Sequence, residues 1–273
     1  MPEYSIKVRN LEKVYHQQTG DFRLKDINID VENHQFITIL GPSGCGKSVL
    51  LNLLCGIEKP TSGTIEFNGK IFDTGVPASF RKNFGFAFQE DNLLDWRTVE
   101  NNLMFSMECF RLKKKLDCAA RVDEVLHLVG LEKFKTAYPH ELSGGMKQRV
   151  VFARALMHDP DILLLDQPFG ALDAITRKIL NYELHNIWKT TKKTVIMVTN
   201  SVEEALLLSS KAIFLCKNPD ATIKTQVEID IPVEERGANI TEYSGYAKLK
   251  EKMDCLVHNL NISTGNSQGS VEV

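Results

Sequence analysis

Phe36-Ile37-Thr38-Ile39-Leu40-Gly41-Pro42-Ser43-Gly44-Cys45-Gly46-Lys47-Ser48-Val49 is the stretch that decides the fold of this chain. Its first five residues are apolar or β-branched and read as a short buried parallel strand. Glycines then break the strand, and residues 47–55 read as a helix. Gly41 to Ser48 matches the spacing G-x-x-x-x-G-K-S in the strand–loop–helix setting that the motif requires. Such glycines let backbone N–H groups curl around phosphate oxygens, and the helix N-terminus adds a partial positive charge. Lys47 is expected to reach the β- and γ-phosphates, and the Ser48 hydroxyl to meet Mg²⁺. Pro42, Ser43, Gly44, Cys45, Gly46 and Val49 complete the candidate ATP-binding stretch. A dinucleotide-binding loop does not fit, because no third glycine follows Gly44-Cys45-Gly46 at the needed spacing.

Outward from this loop, the hydrophobic pattern predicts strands at residues 5–8, 22–26, 29–31, 64–68 and 84–88. From about residue 93 to 157 it turns helical, with helices expected at 99–110, 118–129 and 144–157. Buried strands return at 161–165 and 194–199, separated by a helix over 174–188. That order implies an α/β fold with a parallel core and an inserted helical subdomain. Asp166 ends the apolar run Ile162-Leu163-Leu164-Leu165, where a carboxylate is placed to hold Mg²⁺ through water. Short strands follow over 222–229, and then an amphipathic helix with Tyr246, Leu249, Met253, Leu256, Val257 and Leu260 on one face. That face reads as packed core rather than a membrane anchor.

The chain has 273 residues, a formal charge of −2 and 25% charged residues, so no global basic field points to nucleic acid. Six scattered cysteines without C-x-x-C spacing read as reduced thiols rather than a disulfide scaffold or zinc site. No basic segment followed by an apolar run opens the sequence, so no secretory signal is expected. Runs of about 18 apolar residues, the minimum for a transmembrane helix, do not occur.

Leu142-Ser143-Gly144-Gly145-Met146, followed by the strand ending in Asp166, resembles the signature and Walker B pair of ABC-transporter ATP-binding subunits. The resemblance runs from about residue 5 to 230. It implies a P-loop NTPase core with an N-terminal antiparallel β subdomain and an α-helical subdomain at about 93–158. The nucleotide-binding domain would cover 1–232, and 233–273 would form a C-terminal extension with one amphipathic helix. It further implies that Tyr15 stacks on adenine and that Gln89 is the Q-loop glutamine at Mg²⁺, beside Ser48 and Asp166. Ser143, Gly144 and Gly145 would contact the γ-phosphate held by an opposite subunit, and Asp173, in Ala171-Leu172-Asp173, would cross the dimer interface. The cofactors implied are ATP and Mg²⁺. The partners implied are transmembrane permease subunits, a second ATPase subunit and an extracytoplasmic solute-binding protein, at the cytoplasmic face of the membrane. Phe88, Leu93, Leu94 and Trp96 would line the groove that receives a permease helix, or serve as ordinary core.

The segment from Phe88 to Val99, with Pro168-Phe169-Gly170 and Lys217-Asn218-Pro219, is similar to the nitrate/sulfonate/taurine importer group, although Asp95 stands where that group usually has Pro. Two positions depart from the family pattern. Gln167 replaces the Glu that acts as general base, and Asn200-Ser201 replaces the His-Asp of the H-loop. A Glu→Gln exchange is also a way to trap an ATP-bound dimer, so Gln167 alone could be an engineered change. The coincident change at Asn200 and Ser201 favours natural divergence. The expected function is therefore an ATP-binding transport subunit whose own site hydrolyses poorly while its signature completes a partner's site. The alternatives are a non-hydrolysing regulatory subunit or a slow homodimer. A soluble ABC protein of DNA repair or translation fits less well, because the chain has one cassette and no long coiled-coil arms.

Overall fold

This computed structural model describes residues 4–16, 21–88, 90–112, 117–217 and 220–265. They fall into two compact units, Met1–Ala78 with Ile196–Val273, and Ser79–Val195. No described helix is long and apolar enough to cross a membrane.

The first unit begins with antiparallel strands β1 (Tyr4–Tyr15) and β2 (Phe22–Glu32). The two short strands expected at 22–26 and 29–31 are one strand. Its irregularity is local: Asp26 takes a left-handed backbone at φ 50°, and Asn10 at φ 47° answers it on β1, where the register shifts. β3 (Phe36–Leu40) is buried at every position, as its uninterrupted apolar run requires. Helix α1 (Lys47–Leu54) follows the glycine loop directly. β4 (Ser62–Phe67) pairs antiparallel with β1, and β5 (Lys70–Phe72) pairs antiparallel with β4.

In the second unit, β6 (Phe84–Ala87) and β7 (Ile162–Asp166) form a parallel pair. Between them lie α2 (Val99–Cys109), α3 (Cys118–Leu128) and α4 (Gly144–Leu156), capped by the side chains of Thr98, Asp117 and Ser143. A close approach explains Gly85: a Cβ there would meet the Ala155 carbonyl oxygen at 2.3 Å, so α4 packs on bare β6 backbone. Helix α5 (Ala174–Thr191) follows β7, and the wholly buried β8 (Thr194–Val198) begins in the second unit and passes into the first at Ile196.

The first unit then continues with α6 (Val202–Leu208), β9 (Lys211–Lys217) and β10 (Ala221–Glu228). β9 runs parallel to β3 and antiparallel to β10, so the first unit's strands lie in the order β5-β4-β1-β2-β10-β9-β3. Antiparallel strands at the N-terminal end and parallel ones at β3–β9 and β6–β7 make the mixed α/β architecture expected from the sequence. Residues after β10 stay with the first unit. Arg236 is buried there and donates to the carbonyls of Ile229 and Ile231 at 2.7–3.2 Å. The last helix, α7 (Tyr246–Gly265), buries Tyr246, Met253 and Leu260 while Leu249, Leu256 and Val257 are half-buried, so its apolar face is core.

Candidate functional site: a glycine loop and a signature helix

The glycine loop is built by close approach and by a helix that starts without a cap. A Cβ on Gly41 would lie 2.5 Å from the Leu215 carbonyl oxygen and 2.8 Å from the Cys45 sulfur, so only glycine lets the loop leave β3 beside β9. Gly46 precedes α1 in a left-handed conformation, φ 93°, and no side chain caps the helix. A Cβ there would also meet the Phe22 ring at 2.9 Å. The first turn of α1 thus presents N–H groups that no side-chain cap occupies, the arrangement that suits a phosphate. Lys47 is 5% exposed, and its ammonium donates to the carbonyls of Gly41 at 2.7 Å and Pro42 at 3.0 Å. The charge is folded over the loop it would share with an anion. Ser48 is exposed beside it. Burial pushes the Cys45 thiol above its ordinary range, so this cysteine is a packing residue at neutral pH.

Tyr15 and Phe22 meet with ring centroids 6.0 Å apart. The Tyr15 hydroxyl donates to Glu58, and the Lys13 ammonium lies 5.0 Å from the ring centre. Desolvation, then the bond to Glu58, raises the Tyr15 phenol well above its usual value, so it stays a neutral donor. Phe22 is the ring in contact with the glycine loop, and its own face carries the Lys217 ammonium at 5.7 Å.

Asn200, also in the first unit, is exposed on a tightly braced turn. Thr199 donates its N–H to the Ile39 carbonyl at 3.1 Å, and its hydroxyl bonds buried Glu204. Ser201 caps α6 by accepting from the Glu204 N–H at 3.3 Å. Ser and Asp cap helices about equally well, so the loss of a carboxylate at 201 leaves the turn intact.

In the second unit, β7 delivers Asp166 and Gln167. The Asp166 Oδ1 is buried and accepts no hydrogen bond among the described residues. An orphaned carboxylate oxygen of this kind fits a cation or its bound water. Gln167 takes a left-handed backbone, φ 45°, and is half-buried. A left-handed non-glycine residue costs roughly 1–2 kcal/mol, so the strand's end is held in shape by its surroundings.

The signature and D-loop residues come together in the same unit. Ser143 caps α4, its hydroxyl accepting from the Met146 N–H at 3.3 Å, and it remains exposed. Asp173 caps α5 through the N–H groups of Ile175 and Thr176 at 3.1 and 3.0 Å. The bond from Thr176 holds its carboxyl below the usual range. Gly144 and Gly145 face this second helix start: Cβ atoms on them would meet Leu172 at 3.4 Å and Thr176 at 2.9 Å.

The segment after Gln89 is strapped from two sides. Arg154 of α4 donates to the carbonyls of Asn92 at 2.8 Å and Asp91 at 3.2 Å, and Lys147 pairs with Asp91 at 3.7 Å. From α2, fully buried Asn102 accepts from the Leu94 N–H and donates to the carbonyls of Leu94, Arg97 and Thr98. These straps present Trp96, 75% exposed, on a fixed frame, with Phe88 also exposed. Leu93 is instead buried core and Leu94 is half-buried. Gln89, Asn218 and Pro219 lie outside the described residues. Sequence reasoning missed Glu58, Phe22, Asn102 and Arg154. Of these only Arg154 leaves a trace, as a cation among the apolar residues of α4.

A family model described as ABC transporter matches residues 24–170, more than half of the chain. An ABC transporter ATP-binding protein of Methanocaldococcus jannaschii is 42% identical over 243 residues, covering 87% of this chain and 88% of its own. The taurine import ATP-binding protein of Pelagibacter ubique is 38% identical, covering 92% of this chain and 94% of its own. The aliphatic sulfonates import ATP-binding protein of Bacillus licheniformis is 41% identical, covering 84% and 86%. Among solved structures, a dimeric bacterial ABC transporter cassette superposes with a TM-score of 0.72 at 30% identity, over 83% of this chain and all of that one. With motifs, architecture and relatives in agreement, the chain belongs to the ABC transporter family.

Proposed function

We propose that this chain is the ATP-binding subunit of a membrane importer for a small sulfonate-type solute, working at the cytoplasmic face with separate permease subunits. The uncapped start of α1 with buried Lys47 above it carries the nucleotide reading. The relatives named for taurine and aliphatic sulfonate import support the importer reading. In this assignment Gly41, Pro42, Ser43, Gly44, Cys45, Gly46, Lys47, Ser48 and Val49 bind the phosphates, and Tyr15 stacks on adenine. Ser48, Gln89 and Asp166 hold Mg²⁺, whose charge neutralises the phosphate oxygens. Ser143, Gly144, Gly145 and Asp173 serve the site of a second ATPase subunit in a head-to-tail dimer. An extracytoplasmic solute-binding protein would deliver the solute.

Hydrolysis at this chain's own site is impaired in the same proposal. The Gln167 amide can hold a water but takes no proton from it, and loss of a general base typically costs ~10²–10⁴ in rate. Asn200 is neutral at every pH, which removes the H-loop contact to the γ-phosphate. Both changes equally favour a second reading, a non-hydrolysing regulatory subunit.

Steady-state ATP hydrolysis, with this chain alone and with its partner ATPase, tests the proposal. In the mixed dimer, Ser143→Ala should collapse turnover, whereas Lys47→Ala should cost less. The reverse order sinks the asymmetric dimer. Gln167→Glu alone should restore little; a full return of activity would mark Gln167 as an isolated change in an otherwise active ATPase. No turnover with any partner, but intact ATP binding, selects the regulatory reading.

A further inference from the structure

A cavity of about 380 Å³ lies between β9, β10 and the C-terminal half of α7, wholly within the first unit. Its floor is fully buried Phe214 with Cys216, two residues apart on one face of β9. Leu256, Asn259 and Leu260 line it from α7 at helical spacing. The third wall is unusual, because sequence neighbours Lys224 and Thr225 both line it. Regular strand alternation sends successive side chains to opposite faces. Here Ile223 pairs with Leu215 and Thr225 with Phe214, so Lys224 is the extra residue of a β-bulge. Bulges re-aim side chains, and this one brings Lys224, an exposed residue, to line a cavity that strand geometry would otherwise deny it. Among the described residues, Lys224 forms no ion pair and no acidic side chain lines the cavity.

Apolar walls with one cation and a few hydrogen-bonding groups, in a volume of roughly 300–1,000 Å³, are the usual make-up of a small-ligand site. We propose that this cavity binds a small amphiphilic anion. Its sulfonate or carboxylate head would sit on Lys224, with Thr225 and Asn259 nearby, and its short alkyl chain would lie against Phe214, Leu256 and Leu260. The site is separate from the glycine loop and does not rest on the transport reading.

Titration calorimetry of the full chain with hexanesulfonate and hexanoate tests it, with hexylammonium and inorganic sulfate as controls. Both anionic amphiphiles should bind and both controls should not. Lys224→Gln should weaken hexanesulfonate at least about tenfold at an unchanged melting temperature, as loss of a charge-assisted hydrogen bond predicts. Leu256→Trp should abolish binding by filling the cavity, and its melting curve checks that the chain still folds. No heat with hexanesulfonate at about 10 mM, equal binding of hexylammonium, or full affinity in Lys224→Gln overturns the proposal. Two further outcomes would also overturn it. One is a tenfold gain in affinity on deleting residues 266–273, which would make the chain's own end the occupant. The other is Lys224-dependent binding to anionic phospholipid vesicles without binding of the soluble anions.

Discussion

Helix α1 starts after a glycine-rich loop and α4 starts with two glycines of its own, and the two starts are built in opposite ways. α1 begins after left-handed Gly46 with no side-chain cap, and a buried lysine supplies charge beside it. α4 begins after Ser143, whose hydroxyl already accepts the Met146 N–H. The first start suits an anion by itself, joining backbone N–H groups to a full positive charge. The second has a satisfied cap, and its helix dipole is worth less than about 1 kcal/mol when exposed. Such a start suits a phosphate already held elsewhere, and that is the role proposed for it in a partner's site.

The largest test of this contrast is nucleotide binding by the isolated chain. Lys47→Ala should weaken a fluorescent ATP analogue by ~10–10²-fold, the value of a charge-assisted hydrogen bond, while Ser143→Ala should leave it within about twofold. Equal losses in an equilibrium titration would erase the distinction. Next come the two glycines. Gly46→Ala adds left-handed strain to a contact with Phe22 and should cost roughly 2–4 kcal/mol by urea unfolding. Gly145→Ala faces one Thr176 methyl at 2.9 Å, on a helix that welcomes alanine, and should cost about 1 kcal/mol or less. The smallest effect is the cap: Ser143→Ala should lower stability by about 1 kcal/mol and Ser143→Asp by little, read from the denaturant midpoint. A neutral Ser143→Ala would mean that the serine has no structural share.

The glycine loop was legible because everything that builds it is local: an apolar strand, glycines, and a helix within a dozen or so residues. Helix boundaries at α2, α3 and α4 fall within a residue or two of the pattern, because Thr98, Asp117 and Ser143 are capping residues in the right places. The run from Val202 to Cys216 was not legible. Its two apolar stretches, residues 205–208 and 212–216, are too short to show a period that separates helix α6 from strand β9; pairing with β3 and β10 makes that choice. Tyr15 reads as an aromatic at the expected place, but its bond to Glu58 joins residues far apart in sequence. Asn102 reads as an ordinary helix-surface amide, yet it is buried with four backbone bonds.

The amino-acid order by itself determined the phosphate loop, the signature, the family and the two departures at Gln167 and Asn200. These depend on residue type at short spacing, where backbone stereochemistry leaves few alternatives. Only the tertiary structure decided that Asp166 keeps a buried oxygen unpartnered among the described residues, that Ser201 caps α6, and that Arg154 and Asn102 strap the segment carrying Trp96. The same holds for the bulge that turns Lys224 into a cavity. Each of these depends on which distant backbone groups a side chain meets, and burial, not sequence spacing, sets that.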